Sequence, residues 1–174
     1  MARSHTTIDD ARARPVATRA AARPTALGAG VVLGLGLGGF IDGIVLHQIL
    51  QWHNMGSAVL APVTMDAMAQ NMRWDGYFHL ATLVLTLAGV VLLWREGLAG
   101  TAPRTLRVLA GQLVLGWGVF NLVEGVIDHH LLELHHVRDV PMHVPVYDWL
   151  FLGIGGVLLI VVGGLMSRPG KPDA

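Results

Sequence analysis

Residues 108–136 read VLAGQLVLGWGVFNLVEGVIDHHLLELHH. Val108 to Ile127 carries one charge, Glu124, and is as long as the roughly 20 apolar residues that cross a lipid bilayer. At about 100° per residue, Trp117, Asn121, Glu124 and Asp128 fall on one face of that helix, and His135 joins the stripe if the helix continues. A carboxylate facing lipid is costly, so this face is expected to point into a bundle. A charged, histidine-rich run then leaves the apolar stretch at one end only. The chain is therefore read as a membrane protein that keeps its chemistry at one end.

Three further stretches have the same character. Pro24 to Ile41 is uncharged and is extended past Asp42 by Gly43 to Trp52; Gly76 to Trp94 is uncharged and contains His79; Trp149 to Ser167 is uncharged. The expected fold is all-α, an integral membrane four-helix bundle with spans at about 24–48, 76–94, 106–128 and 148–167 within a single membrane domain, 24–167. A basic arm, 1–23, is expected to be disordered and cytoplasmic, with a cytoplasmic tail at 168–174. No internal repeat and no second domain stand out. Composition agrees: 53% of the 174 residues are apolar and only 14% are charged, against about 25% in soluble domains.

The basic residues assign the sides. Arg3, Arg12, Arg14, Arg19 and Arg23 lie in the arm, Arg95, Arg104 and Arg107 between spans two and three, and Arg168 and Lys171 at the C-terminus; only Arg73 and Arg138 lie in the other loops. The positive-inside rule then places both termini in the cytoplasm of a cell (plasma or inner) membrane. Of the nine histidines all but His5 fall at the opposite end, as do Asp42, Asp66, Asp75, Glu124, Asp128, Glu133, Asp139 and Asp148.

Cysteine is absent, which removes disulfides, thiolate zinc sites and iron–sulfur clusters. Imidazole with carboxylate is the ligand set that remains for a transition metal such as iron, copper or zinc. The candidate ligands are His47, His79, Glu124, Asp128, His129, His135 and His136, supported by Asp42, Asp75, Asn121 and Asp148. Asp75 and His79, four apart, share a helix face. Asp42 and His53, eleven apart, nearly share one, whereas His47 lies on another near Gln51. One of these two histidines is expected inward and the other at the interface. Solvated loop histidines, helix caps at Asp75 and Asp148, and ion pairs with Arg73 or Arg138 are the structural alternatives.

Nucleic acid is not an expected partner, since twelve basic residues balance twelve acidic ones. Gly34, Gly36 and Gly39 satisfy G-x-G-x-x-G, but inside a membrane span, so no nucleotide is expected; Gly30, Gly34 and Gly38 read instead as a close helix contact. The bilayer is the expected partner, with a membrane-protein partner or a second copy as a further possibility. Besides a metal site, three readings stand open. They are a proton or metal-ion transporter, a haem protein with bis-histidine ligation, and an accessory subunit of a membrane complex.

The blocks GFIDGIVLHQILQWHNM (39–55), RWDGYFH (73–79), GWGVFNLVEGVIDHHLLELHHVRD (116–139) and YDWLFLGIG (147–155) together resemble a bacterial membrane-protein family known only as a domain of unknown function. The resemblance spans about residues 30–166 and implies four membrane spans. It implies no reaction, substrate or cofactor. A looser similarity to membrane di-iron oxygenases and desaturases stops at their H-x-x-H-H boxes, which this chain lacks.

Overall fold

The computed structural model describes residues 28–168. The basic arm, His5 and the end of the tail lie outside the described residues. Among the described residues every regular element is helical. Helix α1 (Ala29–Asp42) continues into a π-helical turn, Gly43–Ile49; α2 is Met65–Ala99; α3 (Leu106–Glu124) continues into a second π turn, Gly125–Leu131. Helix α4 (Pro145–Leu150), a third π segment (Phe151–Leu158) and α5 (Leu159–Met166) form one continuous rod. The four rods hold 21, 35, 26 and 22 residues, each long and apolar enough to cross a bilayer. The second rod begins at Met65, well before the expected Gly76. Thr64 caps it by accepting the Ala67 N–H, so part of the presumed loop is helix. It ends at Gly100, whose φ of 72° lets its N–H reach back to the carbonyls of Glu96 and Gly97.

The bundle is inverted relative to a water-soluble protein. Leu80, Val84, Leu87, Val91 and Leu98 on α2, and Ile154, Val157, Val161 and Leu165 on the last rod, face outward. The largest fully buried side chains are His53, His129, His135, Asn71 and Thr82. Lipid, as apolar as leucine, gives no reason to bury the aliphatic residues, so the interior is left to small and polar groups. Helices α1 and α3 form the central pair. A methyl group on Gly34 would run into the Leu113 carbonyl oxygen, and one on Gly116 into that of Val31. Only glycine permits backbones to approach so closely. Helix α2 flanks α1, and α5 flanks α3.

The two halves of the bundle repeat one another. Asp42-Gly43-Ile44-Val45-Leu46-His47-Gln48-Ile49-Leu50-Gln51-Trp52-His53 corresponds to Glu124-Gly125-Val126-Ile127-Asp128-His129-His130-Leu131-Leu132-Glu133-Leu134-His135. Each copy starts a π turn at its glycine, and each leaves it through a non-glycine residue of positive φ, Gln51 (52°) and Glu133 (48°). The exit hydrogen bonds match as well. Leu50 N–H donates to Val45 O and Leu132 N–H to Ile127 O, both at 2.8 Å; Trp52 N–H donates to Leu46 O and Leu134 N–H to Asp128 O, both at 2.9 Å. The Gly34–Leu113 and Gly116–Val31 contacts obey the same correspondence. The fold is thus a helix pair used twice about a pseudo-two-fold axis between α1 and α3, contrary to the expectation of no repeat. The repeat escapes sequence inspection because only the glycine, the two histidines and Leu50/Leu132 are identical across these twelve positions.

Candidate metal centre

Both copies deliver their polar groups to the axis at one end of the bundle. The opposite end is marked by Glu96, whose carboxylate accepts the Ala29 N–H at 3.0 Å, and by Gly111 packed on Met166. The π turns decide which residues meet. In an α-helix, residues five apart point about 140° away from one another. A π turn closes i to i+5 and aligns them. Asp42 Oδ2 consequently lies 3.2 Å from His47 Nε2, and Glu124 Oε1 lies 3.1 Å from His129 Nε2.

The other ring nitrogens face carboxylates on the flanking helices. His47 Nδ1 lies 3.0 Å from Asp75 Oδ1 on α2, and His129 Nδ1 lies 3.5 Å from Asp148 Oδ1 on α4. These carboxylates are fixed in turn by equivalent backbone amides: Met55 N–H donates to Asp75 and Val137 N–H to Asp148, both at 2.8 Å. Phe78 packs on the His47 ring and Phe151 on that of His129, with centroids 5.4 and 5.3 Å apart. His53 and His135 are tied crosswise between the halves. His53 Nδ1 donates to Val137 O at 2.9 Å, and His135 Nδ1 to Met55 O at 3.3 Å.

Four imidazoles therefore converge. The His53 and His135 rings stack on the axis with centroids 4.5 Å apart; His47 lies edge-on to His53 at 4.4 Å, and His129 edge-on to His135 at 4.9 Å. The ligand atoms of His47, His53 and His135 all lie within 4.8 Å of one another, as do those of Glu124, His129 and His135. All six residues, Asp42 included, are buried. Burial, with His135 and His47 alongside, holds the proton affinity of His53 well below the ordinary histidine range.

Hydrogen bonding leaves this cluster unfinished. Asp42 Oδ2, His47 Nε2, His53 Nε2, Glu124 Oε2 and both ring nitrogens of His129 are buried without a hydrogen-bond partner. A neutral imidazole has one N–H. His47 stands between two carboxylates, Asp75 and Asp42, and whichever takes its N–H, a lone pair faces the other; His135 spends its N–H on the Met55 carbonyl and turns a lone pair toward Glu124 Oε1, 2.9 Å away. Two acceptors at such distances need a shared proton or a cation between them. Among the described residues, the partners of Asp42, Asp75, Glu124 and Asp148 are histidines, Asn54 and backbone amides, never Arg or Lys.

The remaining candidates are placed as follows. Asp75 supports His47 rather than His79, whose Nδ1 bonds instead to the Asp75 backbone carbonyl at 2.9 Å. His79 belongs to neither buried triad; its unpartnered Nε2 abuts Gly43, beside a cavity of about 540 Å³ that His47, Gln51, Asn54 and Met72 also line. Asp128 is half-buried and lies outside both triads. Asn121 donates to Gly155 O at 3.0 Å and so joins α3 to the last rod. His136 forms a separate cluster with Asp148 and His143. His53 and His143 are the two residues that the candidate set omits. His53 was legible through its spacing from Asp42, but the straight-helix assumption admitted only one inward histidine. His143 lies in an irregular loop, with no periodic signal.

Four membrane-length rods with a buried polar end define a multi-pass integral membrane protein. The profile of the family described as "Predicted membrane protein (DUF2243)" matches residues 29–170, and the chain belongs to that family. No curated protein and no solved structure matches the chain.

Proposed function

We propose that the protein is a membrane metalloprotein whose buried centre holds two transition-metal ions, one per half of the duplicated fold. Asp42, His47 and His53 serve one ion, and Glu124, His129 and His135 the other, each histidine through Nε2. The observation that carries this reading is the convergence of buried ligand atoms within 4.8 Å of one another, with Asp42 Oδ2, Glu124 Oε2 and the Nε2 atoms of His47, His53 and His129 unpartnered, while the Nδ1 atoms of His47, His53 and His135 are spent on a carboxylate or a backbone carbonyl. Metal-binding histidines are oriented in this way, with the other ring nitrogen held by such an acceptor. Charge supports the count. Burying four carboxylates without compensation costs several kcal/mol each, and two divalent ions neutralise Asp42, Asp75, Glu124 and Asp148. Imidazole and carboxylate without thiolate suit iron, copper or zinc.

Haem fits poorly, because a porphyrin would have to separate rings whose centroids are 4.4–4.9 Å apart. A conducting path finds little support, since below the centre the polar side chains among the described residues are sparse: Thr82 and Asn121 are buried, and Gln112 and Glu96 lie only near the opposite end. Elemental analysis of detergent-purified protein, prepared without a histidine tag or chelator, tests the proposal. About two equivalents of a transition metal are expected, and a folded protein that binds none when metal is supplied refutes it.

A further inference from the structure

The pseudo-symmetry exposes one place where the halves differ in chemistry. Asp75 and Asp148 occupy equivalent positions, each accepting a backbone N–H at Oδ1 and turning that oxygen toward a buried histidine. Their second oxygens differ. Asp75 Oδ2 accepts a 2.7 Å hydrogen bond from the Asn54 amide. The residue equivalent to Asn54 is His136, whose Nδ1 lies 3.4 Å from Asp148 Oδ2. A second histidine, His143, brings Nε2 to 2.9 Å from the same oxygen. The two rings stack with centroids 3.8 Å apart, and the three ligand atoms lie within 4.8 Å of one another.

The first half thus closes its carboxylate with an amide NH2 group, which offers no lone pair to a cation. The second half replaces that donor by two imidazoles. His136 Nδ1 is buried without a hydrogen-bond partner. Exposure rises outward: the Asp148 side chain is 4% exposed, that of His136 18% and that of His143 40%.

We propose that His136, His143 and Asp148 form a third, solvent-facing site for a divalent transition-metal ion, present only in the second half. Neutral imidazoles and one carboxylate, with open positions toward water, suit an ion that arrives and leaves. Asp148 is shared. Its Oδ2 faces this outer site while its Oδ1 lies 3.5 Å from His129 Nδ1, so an ion here sits one carboxylate away from the buried centre. A role in loading that centre rests on the metalloprotein reading above; the site itself does not.

The test is zinc(II) titration by calorimetry of the full chain in detergent, freed of metal beforehand. His136→Asn installs the amide that Asn54 supplies in the first half, so the fold has a built-in precedent for it; His143→Ala changes an exposed side chain. Both variants should lose one zinc equivalent relative to the wild type while keeping the others. A His53→Ala/His135→Ala variant should keep the outer equivalent. Equal stoichiometry in the wild type, His136→Asn and His143→Ala overturns the outer site and leaves the buried centre standing. Binding confined to a single equivalent that His143→Ala abolishes supports the outer site and refutes the buried centre.

Discussion

His53 and His135 face each other across the pseudo-two-fold axis, with ring centroids 4.5 Å apart and planes inclined by 19°. Each is anchored by a backbone carbonyl of the opposite half, Val137 for His53 and Met55 for His135. The stack is therefore both the centre of the proposed metal site and the clasp between the two copies. Replacing either ring by alanine should have matching consequences: His53→Ala and His135→Ala should each lose about one of two bound ions and lower the melting temperature in detergent. A loss of metal from one variant with the other unaffected would contradict the symmetric account.

Asp75 and Asp148 orient the rings of His47 and His129 without reaching the space between the four imidazoles. Groups in that position typically affect metal affinity about 10–100-fold when replaced. Asp75→Asn should weaken binding on that scale while preserving stoichiometry, whereas Asp42→Asn should cost an ion outright. Competition against a chelator of known affinity separates the two outcomes.

Close approach of α1 and α3 depends on Gly34 and Gly116. Alanine at either position meets a backbone carbonyl that cannot rotate away, and overpacking of this kind costs about 1–3 kcal/mol. Gly153 and Gly164 have open space where a methyl group would sit. Thermal unfolding in one detergent should rank Gly34→Ala and Gly116→Ala well below Gly153→Ala and Gly164→Ala.

The distribution of arginine predicts that the histidine-rich end faces outward. With no native cysteine, single-cysteine variants report cleanly on sidedness. A cysteine at Val59, in the exposed loop before α2, should react with an impermeant maleimide in intact cells, and one at Thr101 only after permeabilisation. The reverse pattern would invert the topology.

The four spans and the polar end were legible because lipid excludes charge, and that exclusion is written into composition and spacing. Asp42, Asp75, Glu124 and Asp148 stood out for the same reason: a carboxylate at the end of an uncharged span needs a partner. The geometry within the site was not legible. Helical-wheel reasoning assumes 3.6 residues per turn and sets Asp42 apart from His47 and Glu124 apart from His129. The π turns at Gly43–Ile49 and Gly125–Leu131 insert the extra residue that brings each pair together. The same turns explain why both His47 and His53 point inward. The duplication stayed hidden because membrane helices share a small apolar vocabulary, so Ile-Val against Val-Ile carries little weight until the matching π turns, exit hydrogen bonds and positive-φ residues are seen.

The most direct test of the account is anomalous X-ray diffraction from crystals of the metal-loaded protein, recorded on either side of the absorption edge of the bound element. The account predicts two buried peaks related by the pseudo-two-fold axis, one bounded by Asp42, His47 and His53 and the other by Glu124, His129 and His135. A metal-replete crystal with no anomalous density between these six residues would contradict it.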